Sequence, residues 1–461
     1  MSQMNIPLIF NTFPGFKPID FKDYPSEGFA ILRLEGRPER QRFCFRCGGE
    51  LGELKRTYCL KLQHLRVMGL QVEVHLEREC RHCPGCKKVR AEHLSFECED
   101  SPHVTEDLAW YISRLTEATA VMAVSRLESI DKNLCYRIDK RILRRLLQGY
   151  QIPKVTRISV DEVYCRSPKQ LEDGETRDDL FLTIIVDSTT RKVIWVSKSR
   201  RKEALDAFFK LIGEEACKRI EVVACDQHEG YSSSVREYCP KATIVWDRFH
   251  LVQHFNEALN EDRKEELDRQ GITPEEQALL KGRNRFIFMK RAYERSDKEK
   301  KVIDEIAELN HKILQMEIIK ERFHQVFLCK HETEAFVIMA EIYQWSWDCG
   351  AKHVWKWIAG IRFEQRFLNY FLHPVTTSVS EGFNHVIKNL KRQGCGYRDM
   401  VYFGLKILQK AGYLNSRYAF PKGLYFMQAE EKVRQGAPKL GSLRLRSAKP
   451  RNNSETQARE K

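Results

Sequence analysis

The 461 residues are enough for about three domains of ordinary size, and with 42% hydrophobic residues they can bury more than one core. The balance of 78 Lys+Arg against 64 Asp+Glu, a formal charge of +14, favours a polyanionic partner such as nucleic acid over an acidic small molecule. No stretch approaches the roughly 20 apolar residues that span a bilayer, and no basic leader precedes the short run PLIF, so no membrane partner and an intracellular setting are expected, with most of the 15 cysteines reduced.

Residues 1–40 read as an N-terminal leader, and 41–100 as a metal-binding module. CFRCGGE supplies Cys44 and Cys47, and CRHCPGCKK supplies Cys80, Cys83 and Cys86. Two CxxC knuckles can give four thiolates to one tetrahedral zinc ion, which would be structural because four protein ligands leave no place for water. The favoured set is Cys44, Cys47, Cys83 and Cys86, with Cys80, His82 and His93 as alternatives.

From Val104 to Gln148 the apolar period becomes helical and fits three short helices. The last carries Lys132, Arg137, Lys140, Arg141, Arg144 and Arg145 around an apolar stripe, after the turn-like ESIDKN. Residues 101–152 are therefore either a helix-turn-helix-like DNA reader, with Arg137, Lys140 and Arg141 on phosphates, or a basic helical linker; no Gly marks the turn.

A new domain is expected after Pro153. RISVDEVY, LFLTIIVD and KVIWVS predict an antiparallel meander, followed by an amphipathic helix, the strand IEVVACD, and the strand ATIVWD. That order is the order of a ribonuclease-H-like fold, an α/β core in which strands fix carboxylates at one sheet edge as a metal-dependent nuclease requires. Four acids close apolar runs: Asp161, Asp187, Asp226 and Asp247. Asp187 ends a strand running opposite to the first, so it belongs at the far edge as a turn residue, and Glu162 alternates with Asp161 and points to the other face. Asp161 and Asp226 remain as the natural pair, with Asp247 one strand further out to orient a neighbour, bind substrate or cap the helix at Arg248.

A third carboxylate has to come from a later helix, and SEGFNHVIKNLKR places Glu381, Asn384, His385, Lys388, Lys391 and Arg392 on one side with Phe383, Val386, Ile387 and Leu390 on the other. Glu381 either joins the acids or complements the helix dipole. Between the core's two parts, 153–260 and 375–425, residues 261–374 read as a helical insertion in which Val302, Ile306, Leu309, Ile313 and Met316 make a seam along one helix, as a packed core or a dimer coil. Before that seam, Lys281 to Lys301 holds nine basic residues against three acidic ones with Phe286, Phe288 and Tyr293 interleaved, either a nucleic-acid contact or a charged face around core aromatics. Trp345, Trp347, Trp355 and Trp357 read as core or helix-packing residues rather than base-stacking platforms, and 426–461 as a basic flexible tail.

With its two CxxC pairs, SVDE at Ser159–Glu162, DQHEGY at Asp226–Tyr231, IVWDRFHLVQHFNEAL at Ile244–Leu259 and SEGFNHVIKNLKRQGCGYRD at Ser380–Asp399, the chain resembles the ISL-three family of bacterial insertion-sequence transposases. The resemblance covers most of the chain. It implies an Asp-Asp-Glu triad at Asp161, Asp226 and Glu381, two Mg2+ ions (Mn2+ substituting), and two-metal phosphoryl transfer on DNA. It further implies Asp247, His250 and Asn384 as supporting or substrate-binding groups, and Lys388, Lys391 and Arg392 on phosphates. Terminal inverted repeats and target DNA are the implied partners, a homodimer or larger assembly the implied state, and the cytoplasmic nucleoid the implied place. The alternatives are a domesticated DNA-binding regulator and a stand-alone ribonuclease-H-like nuclease. Ser380 and Cys395 depart from the family pattern, which places an apolar residue and an aromatic there.

Overall fold

A computed structural model describes residues 13–98, 101, 103–374, 378–394 and 397–414, with the backbone alone for 378–384. Expectations for Cys395, the 426–461 tail, and the side chains of Glu381 and Asn384 lie outside the described residues. Among those described are ten strands and sixteen α-helices, and no helix is long and apolar enough to cross a membrane. They form two compact units, residues 13–150 and 151–414.

The first unit is built on β1 (Phe16–Tyr24), β2 (Phe29–Gly36), β3 (Leu54–Val67), β4 (Leu70–Cys83) and β5 (Lys88–Ala91), in the order β1-β2-β4-β3 with β5 also paired to β4. The long β3–β4 hairpin turns at Met68 and Gly69, both at positive φ (50° and 85°), the geometry that matches strand twist in a two-residue turn. Residues 16–36 are not a free leader. They supply two strands of this sheet because Phe16, Leu32 and Leu34 alternate onto the face that buries Leu62, Val74 and Leu76. Three helices follow as the periodicity predicts: α1 (Glu106–Ala118), α2 (Val121–Glu128) and α3 (Lys132–Gln148). The α2–α3 turn closes without glycine because Ser129 itself adopts φ 52° and Asp131 caps α3, accepting from the Asn133 and Leu134 amides at 2.9 and 3.0 Å.

In the second unit β6 (Arg157–Tyr164), β7 (Phe181–Asp187) and β8 (Lys192–Lys198) form the expected antiparallel meander. After α4 (Lys202–Ile212) and the short α5 (Glu214–Cys217), β9 (Val222–Cys225) returns parallel to β6, and after α6 (Glu229–Tyr238), β10 (Thr243–Trp246) adds outside β9. The order is β10-β9-β6-β7-β8. Ile158, Val160 and Val223 pack on one face with Leu205 and Phe208 of α4 and Val235 of α6. Val222, Ala224 and Val245 face the other way, into a core shared with the helices that follow.

Those helices are α7 (Arg248–Leu267), α8 (Pro274–Leu280), α9 (Asn284–Met289), α10 (Asp297–Leu309), α11 (His311–Val326), α12 (Glu332–Asp348), α13 (Lys352–Ile361) and α14 (Gln365–Leu372). The apolar seam from Val302 to Met316 does not run along one helix. It is broken at Asn310, whose side chain caps α11 by accepting from the Ile313 amide at 3.0 Å and donates to Glu266 at 3.0 Å and Glu276 at 3.2 Å. Ile306, Ile313 and Met316 enter the packed core while Leu309, at the break, stays 49% exposed. Phe288 is core, whereas Phe286 and Tyr293 are exposed, so the basic segment divides between the two readings of it. Trp345 and Trp357 pack against the core, and Trp347, although exposed, meets the Trp355 ring of α13 at 5.1 Å, so it too packs between helices. Finally α15 (Ser378–Gln393) and α16 (Met400–Ala411) complete the unit, α16 lying on β8 with Gly404 against Val196 and Gly412 bridged to Val193.

Candidate active site

Strand parity decides which acids can meet. On β6, Ile158 and Val160 face α4 and α6, so Asp161 points to the opposite face, where it is 7% exposed. Because Arg157–Ser159 run in parallel register with Val222–Ala224, Asp161 stands level with Asp226, the residue that follows β9. Asp226 shapes the entry to α6 by accepting from the His228 amide at 2.9 Å.

One strand further out, Asp247 caps α7 by accepting from the Phe249 amide at 3.2 Å. That cap brings the helix's first turn across the acids. His250 Nε2 lies 3.6 Å from Asp161 Oδ1 and 3.8 Å from Asp247 Oδ2. Burial by itself would lower the His250 pKa, but the hydrogen bond to Asp161 and the charges of Asp247, Asp161 and Asp226 outweigh it and push it up to about 9.

Glu162 belongs to this electrostatic neighbourhood although it lies on the other face of β6. Burial first, then the charge of Asp226, raise its pKa to about 7 against the pull of a hydrogen bond from Tyr231 and the Arg200 guanidinium, 3.6 Å away. Sequence parity sends it to the other face, as observed; that it shares the field of Asp226 was not legible, although the adjacent acids of SVDE were a signal for it. Asp187 sits opposite Ile158, at the far end of β6, and is used in its own turn by the Thr189 amide at 2.9 Å and the Thr190 hydroxyl at 2.7 Å.

Helix α15 carries Glu381 near its start. Its apolar side is buried through Ile387 and Leu390, and His385, Lys388 and Arg392 are exposed on the other, as the periodicity predicts. Lys391 donates to the Tyr164 carbonyl at 3.5 Å and stands 5.4 Å over the Tyr164 ring, which anchors α15 beside the end of β6.

In the first unit the thiols of Cys44, Cys47, Cys83 and Cys86 lie within 4.8 Å of one another. Cys44 and Cys86 are 3.9 Å apart, and Cys47 and Cys83 are 3.5 Å apart, close to the roughly 3.8 Å edge of a tetrahedron with metal–sulfur bonds of about 2.3 Å. Gly48 and Lys87, one residue past each knuckle, take positive φ (70° and 52°) to fold the chain back. Cys80 is buried in β4 opposite Arg56 and Ala91, and neither it nor His82 nor His93 joins the four-thiol group. On α3, Arg137 and Arg144 are exposed and Lys140 and Arg141 half-buried, while Arg145 pairs with Glu106 of α1.

Residues 158–407, more than half of the chain, match the model of the ISL-three DDE family, described as "Transposase". The chain is 26% identical over 396 residues to the transposase for insertion sequence element IS1001 of Bordetella parapertussis, covering 84% of this chain and 93% of that protein. It is 23% identical over 415 residues to the transposase for insertion sequence element IS1557 of Mycobacterium tuberculosis, covering 83% of this chain and 89% of that protein.

Proposed function

Because the chain belongs to the ISL-three family of DDE insertion-sequence transposases, we propose that Asp161, Asp226 and Glu381 form its cutting centre, which breaks DNA strands at terminal inverted repeats and joins them to target DNA. The observation that carries this is the level placement of Asp161 on β6 and of Asp226 just past the end of the parallel neighbour β9. The β10-β9-β6-β7-β8 order supports a ribonuclease-H-like core, with a helical body of residues 261–374 inserted before the helix of the third acid. Anchored by Lys391 at Tyr164, α15 is long enough to bring Glu381 to the level of Asp161. Ten helical residues rise about 15 Å, and the three strand residues back to Asp161 span about 10 Å.

The residues fit divalent cations. Asp161, Asp226 and Asp247 all act on His250, and Glu162, its pKa raised by burial first and then by the charge of Asp226, adds a fourth acid from the other face of β6. Asp161, Asp226 and Glu381 would hold two Mg2+ ions, or Mn2+ in their place, which when bound supply activation of the attacking oxygen and stabilisation of the leaving one. His250 keeps the Asp161 and Asp247 carboxylates at a fixed separation, and Asp247 sets His250 by starting α7. Lys388, Lys391 and Arg392 take phosphates along α15, with Asn384 beside them. Because water and then the released 3′ hydroxyl are the attacking groups, the chain needs no Ser or Tyr nucleophile.

In the first unit, Cys44, Cys47, Cys83 and Cys86 hold one structural Zn2+, and α3 presents Arg137, Lys140 and Arg141 to DNA. Joining two ends calls for a homodimer or larger assembly, working on the nucleoid in the cytoplasm. The test is excision and reinsertion of a marked mini-element in cells. Glu381→Gln and Asp161→Asn should each abolish both while end binding persists; activity equal to the parent in either variant overturns the assignment of that residue.

A further inference from the structure

Beside the cutting centre, α7 and α9 leave open a groove of about 440 Å³, within the range of roughly 300–1,000 Å³ that small-ligand sites occupy. Phe249, 45% exposed, lines it from α7 and Phe286, 57% exposed, from α9, and the partly buried Val252 and Met289 add to its apolar lining. Two exposed phenylalanines facing one groove are costly in water unless something covers them.

The polar groups of the groove narrow the choice of occupant. Asn256 lines the groove, and its buried Oδ1 has no hydrogen-bond partner among the described residues. Glu257 and Glu261 line the α7 side and would repel a phosphate, yet they suit exocyclic amino groups. The α9 side is cationic: Arg285 lies 4.6 Å over the Phe286 ring, and the exposed Lys281, Arg283 and Lys290 flank it. A ligand with a flat apolar face, N–H donors on its edge and a trailing anionic backbone matches all three features. The Phe249 ring meets the His250 ring at 5.5 Å, and His250 is 3.6 Å from Asp161, so such a ligand would sit one residue from the acids.

We propose that this groove binds an unstacked nucleobase of the DNA held at the cutting centre, stacked on Phe286 and Phe249, with its edge on Asn256 and its phosphates on the basic α9 segment. The proposal rests on the transposase reading for the DNA, and on the groove alone for the base. Stacking of one base on an aromatic side chain is worth about 5- to 150-fold in affinity.

The experiment uses full-length protein in the Asp161→Asn background, so that binding is read without cutting, and a single-stranded DNA oligonucleotide carrying a fluorescent adenine analogue. Quenching of the analogue on binding is expected. Phe286→Ala, which leaves no void because the ring is already exposed, should weaken oligonucleotide binding at least fivefold and lose the quenching, while Phe286→Trp restores both and fully paired duplex binds all three equally. Unaltered quenching in Phe286→Ala overturns the proposal, and so does a change in assembly mass with unaltered quenching, which would make the groove a seat for a second copy. Quenching that behaves as expected, in a protein whose Asp161 form does not cut DNA, would leave the base site standing and remove the transposase mechanism.

Discussion

His324 is 7% exposed on α11, and its Nδ1 has no hydrogen-bond partner among the described residues. Burial, then the charges of Arg291, Lys320 and Arg248, lower its pKa to about 4. The unfolded chain takes up a proton here as pH falls below about 6.5, whereas the folded chain resists until about 4. Stability is therefore complete above the unfolded value and declines across that window, by at most about 1.4 kcal/mol per pH unit. Denaturant unfolding at pH 7 and pH 5 should show His324→Phe losing about 1–2 kcal/mol less than the parent; parallel losses would show that His324 is not a source of acid sensitivity. Cysteines give a second residue-scale outcome. Cys83→Ser should lower bound zinc, measured by metal analysis of purified protein, from one per chain to a small fraction, and Cys80→Ser should leave it at one, because only Cys83 stands in the four-thiol group. Single residues were legible where a covalent period fixes their direction: parity separates Asp161 from Glu162, and strand sense separates Asp226 from Asp187. They were not legible where packing chooses. Phe286 and Phe288 are two apart in one short helix, and nothing in their spacing says which enters the core.

Elements show the same division. The five strands of the second unit and their order follow from apolar runs, loop lengths and one intervening helix, all local quantities. The break between α10 and α11 is not local. The period continues through Asn310, and what stops the helix is the recruitment of that side chain by Glu266 and Glu276, which lie in a different part of the chain. Asn310→Ala should remove the α11 cap and leave buried carboxylates short of a donor, costing about 2–3 kcal/mol in thermal or denaturant unfolding; a cost below about 0.5 kcal/mol would mean that the helices bend there for another reason. The α2–α3 turn offers the opposite experiment. Ser129 accepts a left-handed backbone at φ 52°, and among the described residues its hydroxyl receives only a 3.4 Å contact from Arg66. Ser129→Gly should stabilise the first unit by up to about 1 kcal/mol, read as a higher melting temperature.

At the scale of the whole molecule, two compact units of unequal content predict two responses to metal removal. Cys44 and Cys83 of the thiol group share a small core with Leu51, so an ion held by those thiols would stabilise the first unit. The cores of the second unit draw on none of these thiols. Calorimetry of the full chain with and without a zinc chelator should shift one transition and leave the other in place; movement of both together would show that the units unfold as one.

The lid on the sheet also sets a clock. β8 is complete at Lys198 and β10 at Trp246, but α16, which packs on β8 through Gly404 and Gly412, is not made until some 160 residues later. At about 5–20 residues per second, a ribosome needs roughly 8–30 s to cross that interval. Throughout it the nascent chain lacks the cover that α16 gives Val193 and Val196, so slower translation should lengthen the time for which that apolar surface stays open.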